Sequence, residues 1–123
     1  MAKKKLPTLK CNGYCPTDGI LHAQIQSPMV GLPARIAFNN RHTQKISTGL
    51  SVEVPAGYKL CIGLVPNLAA KGMVLANTPG NFTNGPVEAV LLNAGREIVE
   101  VNNGDPIVTF WVEEIVEFGW ECS

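Results

Sequence analysis

Net charge is the first thing this sequence lacks. Ten lysines and arginines stand against ten aspartates and glutamates, giving a formal charge of zero at neutral pH. That argues against the one-signed field that draws a protein to nucleic acid or an anionic membrane. It also gives little colloidal protection, so burying surface in an assembly would suit the chain. No apolar run approaches the length of a membrane span. Lys3, Lys4 and Lys5 lead only into Leu6-Pro7, so no signal peptide is read and secretion is not expected. No phosphate-cradling glycine loop with a lysine is present, nor a Ser/His/Asp or Cys/His set. His22 and His42 are isolated and read as surface or hydrogen-bonded residues.

The four cysteines, Cys11, Cys15, Cys61 and Cys122, permit disulfides, but without a secretory signal they read as reduced thiols. Cys11-x3-Cys15 has tolerable spacing for half a zinc site, and no second Cys/His pair completes it. Asp18, Glu88, Asp105, Glu113 and Glu114 are scattered and read as solvated or turn-forming. No metal and no cofactor is expected.

No amphipathic helix, internal repeat or linker appears either. The 123 residues fit one domain. Asn12-Gly13 and Pro16 to Gly19 are turn signals. Residues 20–26 alternate as a half-buried strand. Further strands are expected over 34–38, 45–54, 58–65, 73–75, 87–92, 97–101 and 106–116, with a helical turn at 68–71. The apolar run from Tyr58 to Val65 reads as buried on both faces, and Asn81 to Gly85 as a tight polar turn. Short strands, twelve glycines and nine prolines predict an all-β sandwich or barrel. Three segments follow: a basic arm over 1–10, a β domain over 11–116 and an aromatic tail over 117–123.

Six stretches between Thr48 and Val116 follow a recognisable order. They are Thr48-Gly49-Leu50, the Pro55-Ala56-Gly57-Tyr58 turn, Leu68-Ala69-Ala70-Lys71-Gly72, Asn77-Thr78-Pro79-Gly80, Leu91-Leu92-Asn93-Ala94-Gly95 and Gly104-Asp105. Together they resemble the trimeric dUTPase (dUTP diphosphatase) family, whose fold is shared with dCTP deaminase. The resemblance implies a distorted jelly roll that forms a homotrimer. It also implies an aspartate that activates water against the α-phosphate, magnesium on the triphosphate, a tyrosine under the deoxyribose, an arginine and serine on the phosphates, and a glycine-rich closing segment.

The chemical positions depart from that pattern. After Gly80 the chain reads Asn81-Phe82-Thr83-Asn84-Gly85. Thr83 takes the place of the family's catalytic aspartate, and a hydroxyl is no carboxylate base near neutral pH. The family's tyrosine and arginine in this loop have no counterpart. Pro66-Asn67-Leu68-Ala69 lacks the phosphate arginine, whose bidentate contact an amide cannot supply. Asp18-Gly19-Ile20-Leu21 shadows the first motif, Thr109 replaces a glutamine, and no glycine-rich segment is seen before Ser123. Asn77, Gly80 and Phe82 mark a possible ligand cleft, although Asn77 also suits a simple turn.

These residues lead to the expectation of a non-enzymatic homotrimer, with a bacteriophage capsid decoration protein as the concrete form and the virion or host cytoplasm as its place. Lys3, Lys4 and Lys5, with Trp111, Phe118 and Trp120, are then partner or interface residues. The alternatives are a binder that inhibits a host protein or sequesters a small ligand in the old cleft, and a divergent dUTPase.

Overall fold

The structure is a computed structural model and describes residues 7–13, 15–25, 34–77 and 80–122. The elements in order are β1 (Lys10–Gly13), β2 (Ile20–His22), β3 (Arg35–Phe38), β4 (Thr43–Glu53), β5 (Tyr58–Leu64), α1 (Pro66–Ala70), β6 (Met73–Leu75), β7 (Gly80–Phe82), β8 (Asn84–Asn93), β9 (Val99–Asn102) and β10 (Pro106–Glu114). They form two four-stranded sheets, β1-β4-β8-β6 and β2-β10-β5-β7, and a β3-β9 ribbon. This is the all-β architecture expected, with antiparallel pairing in every ladder among the described residues.

Alternation builds the core. In β4, Ile46, Thr48, Leu50 and Val52 point inward; in β8, Val87, Ala89, Leu91 and Asn93 do so. They meet Leu60, Ile62, Ile107 and Val108 from the second sheet. Leu60, Cys61 and Ile62 at the centre of β5 are buried in succession, as its continuous apolar run implied; β5 lies inside its sheet, between β10 and β7.

The six ordered stretches are devices that satisfy the main chain where ladders break. Thr48 and Gly49 lie where the β4–β8 register shifts between Ser47 and Ser51. The buried Thr48 Oγ1 donates to the Val87 carbonyl at 2.6 Å and accepts from the Leu50 amide at 3.3 Å. Asp105 Oδ2 accepts from the Asn102 amide at 2.8 Å, closing the β9–β10 turn. Asn93 is fully buried: its Nδ2 donates to the carbonyls of Phe38 and Glu97, each at 2.8 Å, and its Oδ1 accepts from the Gly95 amide at 3.0 Å. A Cβ on Gly72 would stand 2.9 Å from the Gly95 Cα. Two motifs distant in sequence thus meet glycine on glycine.

Three local expectations need correction. Lys10 to Gly13, expected as the end of an arm and a turn, form an edge strand, which every-residue exposure hid from pattern reading. The expected polar turn over 81–85 holds β7 and the start of β8, which pair through the main chain rather than by apolar alternation. The strand expected over 20–26 stops at His22 because Ala23, Gln24 and Ile25 turn their amides to Asp105, Ser47 and Asn103 instead; Gln26 lies outside the described residues.

Asn93→Ala should lower the unfolding free energy by about 1–3 kcal/mol, the cost of leaving a buried group such as the Phe38 carbonyl unpaired, with smaller losses at the part-buried Glu97 and Gly95. Urea denaturation checks this; a loss below about 1 kcal/mol would mean the orphaned groups find other partners.

Candidate functional site

Thr83 is the one residue between β7, which pairs with β5 in the second sheet, and β8, which pairs with β4 in the first. It is a corner between sheets. Its carbonyl accepts from the Val54 amide at 2.9 Å, and its side chain is exposed. The carboxylate that the ladder sets beside this corner is Glu53, opposite Asn84 and exposed. Sequence reasoning missed Glu53 because only the β4–β8 register brings it there.

Asn77 follows β6 and continues its ladder by side chain. Its Nδ2 donates to the Glu88 carbonyl at 3.1 Å, and its Oδ1 accepts from the Val90 amide at 3.0 Å. The amide thus acts as an extra peptide unit on β8. Gly80 and Phe82 lie on β7, and the half-buried Phe82 packs against the core. Thr78 and Pro79 lie outside the described residues. An open cleft of about 830 Å³ elsewhere on the surface is lined by residues that include Lys71, Arg96, Glu97 and Ile98, and by none of Asn77, Gly80, Phe82 or Thr83.

The scattered carboxylates have local tasks. Asp18 Oδ1 accepts from the Ile20 amide at 3.1 Å, and Glu88 pairs with Lys45 at 3.1 Å. Among the described residues, no three His, Cys, Asp or Glu side chains come together as a metal site. His22 Nδ1 lies 3.0 Å from the Gly104 carbonyl. Thr109, at the family's glutamine position, places Oγ1 3.4 Å from the Gly63 carbonyl.

The expected interface residues lie on and beyond β10. Trp111 lies over Gly63, where an added Cβ would stand 3.3 Å from the indole ring. Its Nε1 donates to Glu113 Oε1 at 2.8 Å, and the side chain is 45% exposed. It belongs to the outer face of the sheet, not the core. Phe118 and Trp120, 75% and 85% exposed, stack edge to face with ring centres 5.2 Å apart. Lys3, Lys4 and Lys5 lie outside the described residues. Cys61 shares the Trp111 face and is buried. Burial pushes its thiol pKa above the ordinary value; the Glu113 carboxylate raises it further, and Lys59 partly offsets both. The expectation of four reduced thiols is corrected at the other pair: Cys11 and Cys15 are joined in a disulfide, their Cα atoms 5.9 Å apart, within the span a disulfide can bridge.

No family model matches the chain. It is 35% identical over 106 residues to the deoxyuridine 5′-triphosphate nucleotidohydrolase of Treponema denticola, covering 83% of this chain and 67% of that protein. It is 30% identical over 105 residues to the enzyme of the same name from Bdellovibrio bacteriovorus, covering 82% and 66%. The matched region thus spans about two thirds of these relatives' own length. The solved native EIAV dUTPase superimposes with a TM-score of 0.69 at 14% identity, over 93% of this chain and 97% of that one; this likeness speaks to fold. These similarities overturn the expectation of a non-enzymatic capsid decoration protein, and with it the bacteriophage and pseudoenzyme readings, because the relatives are named for nucleotide hydrolysis. No helix among the described residues is long and apolar enough to cross a membrane.

The shift at Cys61 has a readable sign. A thiol whose folded pKa is raised contributes stability that is fully present below the unfolded value, about 8.5, and lost as pH climbs through the folded one. Denaturation midpoints should therefore fall above that pH in the native chain, and Cys61→Ala should flatten this dependence. Iodoacetamide at neutral pH should label Cys122, which is exposed, and spare Cys61. Equal labelling of the two would contradict the burial of Cys61.

Proposed function

Because the chain belongs to the deoxyuridine 5′-triphosphate nucleotidohydrolase (dUTPase) family, we propose that it hydrolyses dUTP to dUMP and pyrophosphate. The identity shared with the Treponema denticola relative is the observation that carries this reading. Thr83 is not the base, since its hydroxyl has no acidic range near neutral pH. Glu53, beside the same corner, takes the proton of the attacking water as its oxygen bonds to the α-phosphorus and pyrophosphate leaves. A carboxylate set beside the corner by the β4–β8 register meets the first demand on a general base, which is to stand within reach of the water. The nucleoside lies along Gly80 and Phe82. Strand β7 is at the edge of its sheet, so its outward peptide groups can read a base edge as they would a neighbouring strand. Asn77 shapes that edge by anchoring to β8 and is not itself the hydrogen-bonding group for the base.

The family resemblance brings magnesium with the triphosphate. Among the described residues no cage of His, Cys, Asp and Glu exists for such an ion, so the residues present do not fit a protein-held metal, and the step assigned to this chain is proton removal. We also propose self-association as a homotrimer. The half-exposed Trp111 on the outer face of its sheet supports it, as an aromatic anchor of the kind that interfaces bury.

Purified protein given dUTP and magnesium should release pyrophosphate, and Glu53→Gln should slow release by roughly 10²–10⁴-fold, the range for losing a general base. Absence of pyrophosphate from the native protein at enzyme concentrations in the micromolar range would end the hydrolysis reading; equal rates for both proteins would remove only Glu53. Light scattering should give three times the chain mass, and Trp111→Ala should shift it toward the monomer.

A further inference from the structure

Strand β1 is held in an unusual way. All four of its residues are exposed, and among the described residues it pairs with β4 alone, Lys10 opposite Glu53 through Gly13 opposite Leu50. Its far end is seated by Gly13, which has φ +85° and packs so closely on Gly49 that a Cβ would collide with the Gly49 carbonyl. The chain then leaves the first sheet, and by Ile20 it has joined the second. The Cys11–Cys15 disulfide ties strand to crossover. Beneath it lies a cavity of about 190 Å³ between the sheets, lined by Leu9, Cys11, Pro16, Leu50, Val52, Leu60 and Phe110. Both sulfurs belong to exposed residues, so a small thiol can reach them.

We infer that the Cys11–Cys15 pair is a redox latch on this apolar cavity. A disulfide acts chiefly by restricting the chain it closes, and least for short loops. With a sequence separation of 4, this one restrains β1 and the crossover and leaves the central ladders to themselves. An edge segment with few buried contacts opens at low free energy once released. Opening uncovers Leu50, Val52, Leu60 and Phe110, a change from polar rim to apolar slot at one end of the sandwich. The chemistry is thiol–disulfide exchange with a dithiol reductant. A reductant thiolate attacks one sulfur, the Cys11–Cys15 bond breaks, and the released sulfur takes up a proton. The second reductant thiol resolves the mixed disulfide. The protein gains two electrons and two protons, and the reductant leaves as its own disulfide. This inference stands apart from nucleotide hydrolysis.

The test uses the full chain carrying Cys122→Ser, which prevents pairing between copies. Hydrogen exchange and binding of an apolar fluorescent dye are compared before and after dithiothreitol, and in Cys15→Ser. Reduction should speed exchange of the Cys11, Asn12 and Gly13 amides by about tenfold or more, as expected for a strand released to local fraying. Dye fluorescence should rise, exchange in β8 should stay unchanged, and reoxidation should reverse both effects. Cys15→Ser should match the reduced protein and ignore dithiothreitol. Unchanged exchange and dye binding on reduction would overturn the latch, because the β1–β4 ladder would then suffice. Faster exchange throughout β4, β5 and β8 would overturn it too, since the disulfide would be a global staple. Alkylation and mass measurement showing free Cys11 and Cys15 in the oxidised sample would remove its premise.

Discussion

The fold depends on one requirement: every main-chain group buried where a ladder breaks must find a new partner, and at three breaks a side chain supplies it. Asn93 meets it most fully, joining the end of β3 to the β8–β9 loop through Phe38, Glu97 and Gly95. Without it, three peptide groups would lose their bonds, the Phe38 carbonyl in the buried interior and the other two in the partly buried loop. Thr48 does the same at the β4 bulge, and Asn77 beside β8. Such short polar side chains substitute for peptide units, which lets long strands bend and change neighbours without leaving orphans. The meeting of Gly72 with Gly95 is the steric side of the same arrangement, because only bare backbone fits where Asn93 draws the loop in.

Much of this was legible from residue types. The strands expected over 45–54 and 87–92 are β4 and most of β8, whose inward residues alternate and are buried without exception from Ile46 to Val52 and from Val87 to Asn93. Turn chemistry placed the breaks at Pro55-Ala56-Gly57 and Gly104-Asp105. What failed was any strand whose reason for being is its partner. β1 has no buried side chain and β7 is polar at its centre, so nothing in their own side chains announces them. The site was less legible than the fold for a related reason. Glu53 meets the Thr83 corner only through register, and register depends on the bulge at Gly49, which adds to one strand what the other lacks.

On the proposed reading, the Thr83 corner is a place where a motif residue is lost without the loss of its chemistry. A base position in a loop can be replaced by a carboxylate arriving from a neighbouring strand, because catalysis needs a geometry and not a sequence position. Thr83 is instead well suited to its observed task. It crosses between sheets in a single residue while its carbonyl still pairs with Val54. Losing an acid from the corner and shortening the crossing are thus one change in structure, and the proposed base is the carboxylate that the register places alongside.

Sheet edges obey a different constraint from sheet centres. The central strands are long: β4 has 11 residues, β8 has 10 and β10 has 9. The strands at the four sheet edges have only 3 or 4. Short edges offer little template for pairing with stray chains, so the sheets resist edge-to-edge association without a covering helix. The cost is that edge segments contribute few buried contacts and are held by local means: a disulfide beside β1, an asparagine amide beyond β6, a one-residue corner after β7. The stable middle of each sheet and its lightly held rim therefore have different stabilities. The nucleotide site proposed at β7 and the thiol exchange proposed at β1 both fall on the rim, where local rearrangement does not require breaking the long ladders.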